Sequence, residues 1–331
     1  MLERHGSGRR QPSSVAWAVY DAYAEAWLSK EPLFGALLAS SPLKRLRNVR
    51  FLGAIDLFSR LGQLRQPSHQ SRYAHSVGVA YLTARACSAL LVQPDVARLL
   101  VAAALLHDVG HGALSHSTEP YFGSRFSISH KHVGTRVIQG DLFLGLEVCE
   151  ILGDYGIDPS QLNTMLTRNG VLDGAPPLFA LPINVDTLDG IVRSGEFFEP
   201  DSCAPLPDYY LDVLVNPSAA TASLADRFWQ LKDRIYRHYI HNGRWSIYDH
   251  MLSVALYDAD PLVRATDFFL TDDEFCDAFS SQLARVQNRR YDLEFAIANR
   301  NIEVPRQFCI NQNKTLNGWG TIAKRYFVRR M

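Results

Sequence analysis

The amino-acid sequence predicts a mostly α-helical protein. Apolar residues recur at helical spacing over residues 15–28. A second stretch, 96–106, is apolar on nearly every face, and Gly110 and Gly112 follow it as helix-ending residues. Segments with the alternating pattern of strands are scarce. These observations favour a helical architecture in which 96–106 is the central, buried helix.

The composition is that of an ordinary globular chain. It has 331 residues, 47% of them hydrophobic, and a formal net charge of zero at pH 7. This length allows one large domain or two ordinary ones. The neutral balance indicates no general attraction to nucleic acid or to an anionic membrane, although local nucleic-acid binding stays open. The five cysteines form no CxxC pair, and no apolar stretch could span a bilayer, so we expect a cytoplasmic protein without a membrane partner.

Residues 59–74 are polar and contain Pro67, so they are predicted to form a loop that leads to Arg72 and His75. Residues 304–306 are compatible with a strand. Further helices are predicted at 41–52, 77–91, 130–138, 143–152, 183–194, 221–240, 247–257 and 272–286.

The stretch 199–208, rich in proline and aspartate, is the best candidate for a boundary. We therefore divide the chain into an N-terminal helical segment, a central core and a mainly helical C-terminal region packed on the core. The three ranges are 1–40, 41–200 and 201–331.

Residues 105–116, which read LLHDVGHGALSH, concentrate side chains that bind metals. His107 is adjacent to Asp108, and His111 and His116 follow. Imidazole and carboxylate are both good ligands for a divalent first-row metal ion. Because the preceding apolar run must be buried, a carboxylate at its end needs a cation or hydrogen-bond donors. The stretch therefore predicts a metal or catalytic site.

These motifs resemble those of the HD-domain metal-dependent phosphohydrolases, and most closely their deoxynucleoside-triphosphate triphosphohydrolase-like branch. Four stretches carry the resemblance: SRYAHSVG (71–78), LHDVGHGALSH (106–116), HKHVGT (130–135) and NVDTLDGIVR (184–193). More weakly, it extends over roughly residues 40–280. It implies a mostly α fold, an HD-domain helical bundle with a helical C-terminal extension.

The resemblance implies four ligands for a divalent metal ion: His75, His107, Asp108 and Asp186. Mixed nitrogen and oxygen ligands suit Mn, Fe, Co, Ni or Mg, and the sequence does not choose among them. Such an ion polarises a phosphoryl oxygen and lowers the pKa of a bound water.

The resemblance also implies four catalytic residues: His111, His116, Glu119 and His130. His116 resembles a residue that assists proton transfer at the scissile phosphate, and Glu119 resembles its carboxylate partner. Arg72 and Arg193 are the predicted substrate-binding residues, since a guanidinium suits phosphate. Asp189 matches an acid that fixes the orientation of a ligand.

The chain departs from this branch where the relatives recognise the nucleotide. Thr187 stands in place of a phosphate-holding lysine, Gly190 in place of a tyrosine beside the sugar, and Ser194 in place of an aspartate. Phe51 replaces a glutamine near the sugar. A charge-assisted bond to phosphate contributes about 1.5–3 kcal/mol, and threonine cannot supply it. The sequence therefore predicts an intact hydrolytic centre with a rebuilt substrate pocket.

The leading hypothesis is a hydrolase that cleaves a phosphoester or phosphoanhydride through a metal-activated water. Its partner would be a phosphorylated small molecule, nucleotide or nucleotide-like. One alternative is a di-iron HD-fold oxygenase, in which His111 and His130 would bind a second iron. Another is a non-catalytic module that binds nucleotide or nucleic acid. Since some relatives assemble into oligomers gated by nucleotides, a homo-oligomer is a further expectation.

Overall fold

The computed structural model describes residues 13–59, 70–166, 174–199, 205–241, 243–288, 307–316 and 325–329. It confirms the predicted mostly α-helical class. Within these ranges the only sheet is an antiparallel pair, β1 (Gln307–Ile310) with β2 (Tyr326–Arg329). The strand predicted at 304–306 lies outside the described residues. No helix in the described part of the chain is long and apolar enough to cross a membrane.

The described residues contain sixteen α-helices. The first four are α1 (Ser13–Leu28), α2 (Pro32–Ala39), α3 (Ser41–Arg45) and α4 (Ala54–Ser59). The next seven are α5 (Arg72–Ala89), α6 (Pro94–Leu106), α7 (Glu119–Phe126), α8 (His130–Gln139), α9 (Leu146–Asp154), α10 (Pro159–Leu166) and α11 (Val185–Phe198). The last five are α12 (Leu211–Val215), α13 (Ala222–Ile235), α14 (Gly243–Ala259), α15 (Asp272–Ala278) and α16 (Ser280–Asn288).

Helices α5 and α6 pack against each other at the centre, and α1 and α11 pack on α5. The last seven residues of α6 are all buried, as its apolar sequence predicts. Helix α5 begins at Arg72, earlier than the predicted 77, because the Ser71 hydroxyl accepts the Ala74 N–H and caps the helix. His75 therefore lies in the first turn of α5 and not on a loop. Of the predicted loop, 60–69 lie outside the described residues.

The helix predicted at 41–52 is shorter than expected. Helix α3 ends at Arg45, and a 3-10 turn follows it. The backbone of Arg50 then forms an isolated antiparallel bridge with Ser71. This pairing takes the backbone groups that a longer helix would use, and it places Phe51 beside the first turn of α5.

A single hydrophobic core joins the three segments proposed from the sequence. Trp17 of α1, Leu105 of α6 and Phe228 of α13 all belong to it. Helix α13 packs on α11, and α14 packs on α4, so the C-terminal helices close over the central ones. The boundary at 199–208 stays a prediction, since 200–204 are not among the described residues.

Candidate metal centre

Three side chains from three helices converge beside the core. His75 lies in the first turn of α5, His107 directly follows α6, and Asp186 lies in the first turn of α11. The Nε2 atom of His75 is 3.3 Å from Nε2 of His107 and 3.2 Å from Oδ1 of Asp186. The three potential ligand atoms all lie within 4.8 Å of one another. This spacing suits a single metal ion.

Neighbouring acceptors orient both imidazoles. Nδ1 of His75 is 2.6 Å from Oδ1 of Asp189, and Nδ1 of His107 is 2.7 Å from the carbonyl oxygen of Ala104. Each acceptor favours a proton on Nδ1, which leaves the Nε2 lone pair for a metal. Burial lowers the pKa of His75, but hydrogen bonds to Asp186 and Asp189 outweigh burial and raise it to about 9. The donor set therefore fits a divalent cation.

Asp108, the fourth predicted ligand, lies between this triad and a second group of histidines. Its Oδ2 is 3.7 Å from Nε2 of His75, and its Oδ1 is 3.5 Å from Nε2 of His107 and 3.3 Å from Nε2 of His111. Burial raises the pKa of Asp108, but its interactions with His107, His111 and Arg72 outweigh burial and lower the pKa. The carboxylate is therefore ionised and within reach of both groups.

Arg72 contacts the site through protein acceptors. Its Nη1 donates to Asp108 (2.7 Å), its Nε to the Ser115 hydroxyl (2.8 Å) and its Nη2 to the Phe51 carbonyl (3.1 Å). The side chain is buried, although it lines the cavity described below. In this structure the predicted substrate-binding arginine holds Asp108 in place.

Arg193, the other predicted substrate-binding residue, lies behind the ligands and does not line that cavity. Its Nε and Nη2 donate to both carboxylate oxygens of Asp189, at 2.8 and 3.0 Å. Its Nη1 and Nη2 also donate to Asp21 of α1, at 3.2 and 3.1 Å. In this structure the guanidinium is fully buried and supports the carboxylate that orients His75, and its role in substrate binding stays a prediction.

The four predicted catalytic residues form the second group. The rings of His111 and His130 stack with centroids 4.2 Å apart, and His116 packs edge-on against both. Glu119 joins two of them, with one oxygen 3.0 Å from Nδ1 of His116 and the other 2.6 Å from Nδ1 of His130. Burial raises the pKa of Glu119, but these hydrogen bonds outweigh it and hold the pKa below its usual range.

His111 is the buried member of this group, and burial keeps its pKa well below the ordinary value. Neither of its ring nitrogens has a hydrogen-bond partner of acceptable geometry among the described residues, despite the nearby Asp108 oxygen. A neutral imidazole with an unsatisfied nitrogen is an available ligand or acceptor. The ligand atoms of His111, His116 and His130 also lie within 4.8 Å of one another.

A cavity of about 320 Å³ adjoins the site. Arg72, His75, His116 and Asp186 line it on one side, together with the altered positions Phe51, Thr187, Gly190 and Ser194. The C-terminal helices contribute Lys232, Tyr236 and Asp249, which were not predicted from the sequence. Apart from the weak resemblance over residues 40–280, their sequence signal is the spacing of Lys232 and Tyr236, which are four residues apart and so on one helix face.

A larger groove of about 910 Å³ lies elsewhere, between α1, α2, the C-terminal end of α5 and the N-terminal part of α6. Trp27, Cys87 and Arg98 are among its lining residues, and none of the predicted site residues is. Size alone therefore does not indicate where the chemistry takes place.

With this geometry established, residues 72–154 match the family model of the HD domain. The match supports an HD-domain protein. It begins at the first residue of α5 and includes His75, His107 and Asp108. HD domains are all-helical and bind divalent metals, so the fold and the convergent ligands agree with the match.

The curated relatives that this chain matches are themselves uncharacterized. It is 26% identical over 173 residues to protein MG461 of Mycoplasma genitalium, a match that covers 49% of this chain and 38% of that protein. It is 31% identical over 173 residues to YwfO of Bacillus subtilis, covering 51% and 37%, and 27% identical over 159 residues to YdhJ of the same species, covering 48% and 43%. The matched regions thus span well under half of these relatives.

Proposed function

We propose that this chain is a metal-dependent phosphohydrolase that cleaves a phosphoester or phosphoanhydride of a nucleotide or nucleotide-like substrate. The observation that carries the proposal is the convergence of His75, His107 and Asp186, with Asp108 beside them. Two imidazole nitrogens and carboxylate oxygens are a suitable ligand set for Mn, Fe, Co, Ni or Mg. His75, His107 and Asp108 are each oriented by a further hydrogen bond or ion pair. The HD-domain match supports the same reaction class.

A bound divalent ion would polarise the phosphoryl oxygen and lower the pKa of an attacking water. His116 lines the cavity and is the residue that we assign to proton transfer at the leaving group. Because Glu119 accepts from its Nδ1, Nε2 is the nitrogen that exchanges the proton. Glu119 also accepts from Nδ1 of His130, and the ring of His130 packs against that of His116 and holds it in position.

The cavity supports a small substrate. Its volume of about 320 Å³ is near the lower limit for small-molecule sites. Thr187 offers no charge to a triphosphate, and the hydroxyl of Ser194 donates to the Gly190 carbonyl at 2.7 Å. The Phe51 ring lies 4.8 Å from the ring of His75 and occupies space beside Gly190. We therefore favour a phosphomonoester over a deoxynucleoside triphosphate.

The test is phosphate release by the full chain, after its metal content has been measured. The substrates are deoxynucleoside and ribonucleoside tri-, di- and monophosphates and a generic phosphomonoester, each with Mn, Co, Ni or Mg. His107→Ala should abolish both metal loading and hydrolysis. His132→Ala is the matched control, because His132 is exposed and lies in neither histidine group.

Release of orthophosphate from monophosphates would support the small-substrate proposal. Release of tripolyphosphate from deoxynucleoside triphosphates would instead identify these triphosphates as the substrates. Metal binding without turnover of any substrate would favour a non-catalytic binding module. Full activity in His107→Ala would refute the proposed centre.

A di-iron oxygenase is the second candidate, and the buried, unsatisfied imidazole of His111 is the observation that favours it. Asp108 lies within 3.7 Å of a nitrogen in each histidine group, the separation expected of a carboxylate shared by two ions. Two irons per chain, with O₂ consumption and no phosphate release, would establish this alternative. Self-association and cytoplasmic location stay predictions.

A further inference from the structure

We propose that Asp21, in the N-terminal helix α1, is a positioning residue for the metal ligand His75. The inference rests on the proposed metal centre, and it gives α1 a role in orienting one ligand of that centre. The HD-domain match begins at residue 72, so nothing in the match assigns this helix a role.

The connection is a continuous series of buried contacts. Asp21 accepts from Nη1 and Nη2 of Arg193, at 3.2 and 3.1 Å. Arg193 donates from Nε and Nη2 to Asp189, at 2.8 and 3.0 Å. Oδ1 of Asp189 is in turn 2.6 Å from Nδ1 of His75. One carboxylate oxygen thus joins the arginine to the imidazole.

The series has little room to rearrange. Asp189 and Arg193 are both 0% exposed, and His75 is 1% exposed. The guanidinium carbon of Arg193 also lies 4.4 Å from the centroid of the Trp17 ring, another buried residue of α1. Since α1 contacts both the edge and the face of the guanidinium, it fixes the plane in which Arg193 meets Asp189.

Two physical effects follow from the charge of Asp21. First, it holds two of the guanidinium N–H groups, so that the Nε edge stays aligned with both oxygens of Asp189. Second, it shares the positive charge of Arg193. Without that sharing, Arg193 withdraws more electron density from Asp189, which then polarises the Nδ1–H of His75 less. A less basic imidazole is a weaker metal ligand.

Glu25 provides a matched control on the same helix. Its Oε1 accepts from Arg47 at 2.6 Å and from the Tyr73 hydroxyl at 2.8 Å. Glu25 therefore also attaches α1 to the core, but neither of these two contacts leads to His75. If Asp21 orients His75, its replacement should change metal affinity. If Asp21 only attaches α1 to the core, replacing it should have the same effect on metal affinity as replacing Glu25.

The experiment titrates Co²⁺ or Mn²⁺ into metal-free full chain by calorimetry, and follows thermal unfolding of the same samples. Asp21→Asn should weaken metal affinity by about 10-fold, the lower limit for loss of a partner outside the ligand set. Glu25→Gln should change affinity less than about twofold, even if both variants unfold at a lower temperature. Asp21→Glu, which keeps the charge, should recover part of the affinity.

Equal affinities in Asp21→Asn and Glu25→Gln would overturn the inference while leaving the metal centre intact. If wild-type protein binds neither ion, the proposed function fails with it. If Asp21→Asn does not fold, Trp17→Leu provides the test, because it removes the ring that stacks on Arg193 and keeps an apolar side chain in the core. Unchanged metal affinity in a folded Trp17→Leu variant would then count against a role for α1.

Discussion

Replacing Gly78 of α5 by alanine should destabilise the protein and weaken metal binding, because Gly78 packs against Asp189, the hydrogen-bond partner of His75. A Cβ at Gly78 would lie 2.2 Å from Oδ2 and 2.9 Å from Cγ of Asp189, where ordinary contact begins at 3.4 Å. Asp189 cannot move aside, because Arg193 and His75 hold its two oxygens. Elsewhere in a helix, glycine to alanine stabilises by about 1 kcal/mol. Overpacking costs about 1–3 kcal/mol or more, so the net effect here should be destabilising.

The assay is urea unfolding of the metal-free protein, together with Co²⁺ titration. We expect Gly78→Ala to lower stability by about 1–2 kcal/mol. Because the same change displaces the partner of His75, metal affinity should fall by about 10-fold or more. Gly153→Ala in α9 is the control, since its Cβ would meet nothing within 4 Å, and it should be neutral or stabilising. A Gly78→Ala protein with wild-type stability and metal affinity would refute the reasoning.

Three further predictions concern the charges of the site. Arg193→Met leaves the buried carboxylate of Asp189 and the half-buried one of Asp21 without their shared guanidinium, so urea unfolding should show a loss of about 3–5 kcal/mol. The pKa of His75 is raised from 6.5 to about 9, so its contribution to metal-free stability is complete below pH 6.5 and is lost as the pH rises through 9. That contribution is about 3 kcal/mol, measured by unfolding between pH 6 and 9.5, and proton competition should make metal affinity rise with pH over the same range. Glu119→Gln should lower kcat for phosphate release by about 100-fold, because an amide cannot accept from two imidazoles, with metal affinity unchanged.

Each of these predictions has an outcome that contradicts it. A loss below about 1 kcal/mol in Arg193→Met would mean that water reaches the two carboxylates. Metal-free stability that stays constant between pH 6.5 and 9 would show that His75 is neutral in the fold. Loss of metal in Glu119→Gln, in parallel with activity, would place the second histidine group among the metal ligands.

The residues beside His107 could be identified from the sequence because they are local. An apolar run, a His-Asp pair and glycine-spaced histidines all lie within residues 96–116, so the local motif determines their chemistry. Even so, the sequence placed the start of this helix at 77, two residues after His75, since the cap formed by Ser71 was not recognised. The i,i+4 spacing of Asp189 and Arg193 was a readable sign of their ion pair.

The C-terminal wall of the cavity could not be predicted. Lys232, Tyr236 and Asp249 lie outside the four stretches that carry the main resemblance. They approach the candidate ligands only because α13 packs on α11 and α14 on α4. The role of Asp21 was hidden for the same reason. It is 172 residues from Arg193 in the chain, and its contact depends on α1 lying against α5.

The sequence by itself determined the helical class, because the periodicity of apolar residues follows from the geometry of a single helix. It also determined the chemical identity of the ligands, because His107 and Asp108 bring donor atoms wherever they fold. Tertiary structure alone decided that Arg72 contacts Asp108, that Arg193 contacts Asp189, and how large the cavity is. Those properties depend on which helix faces meet, and burial then requires each charge to find its partner across long sequence separations.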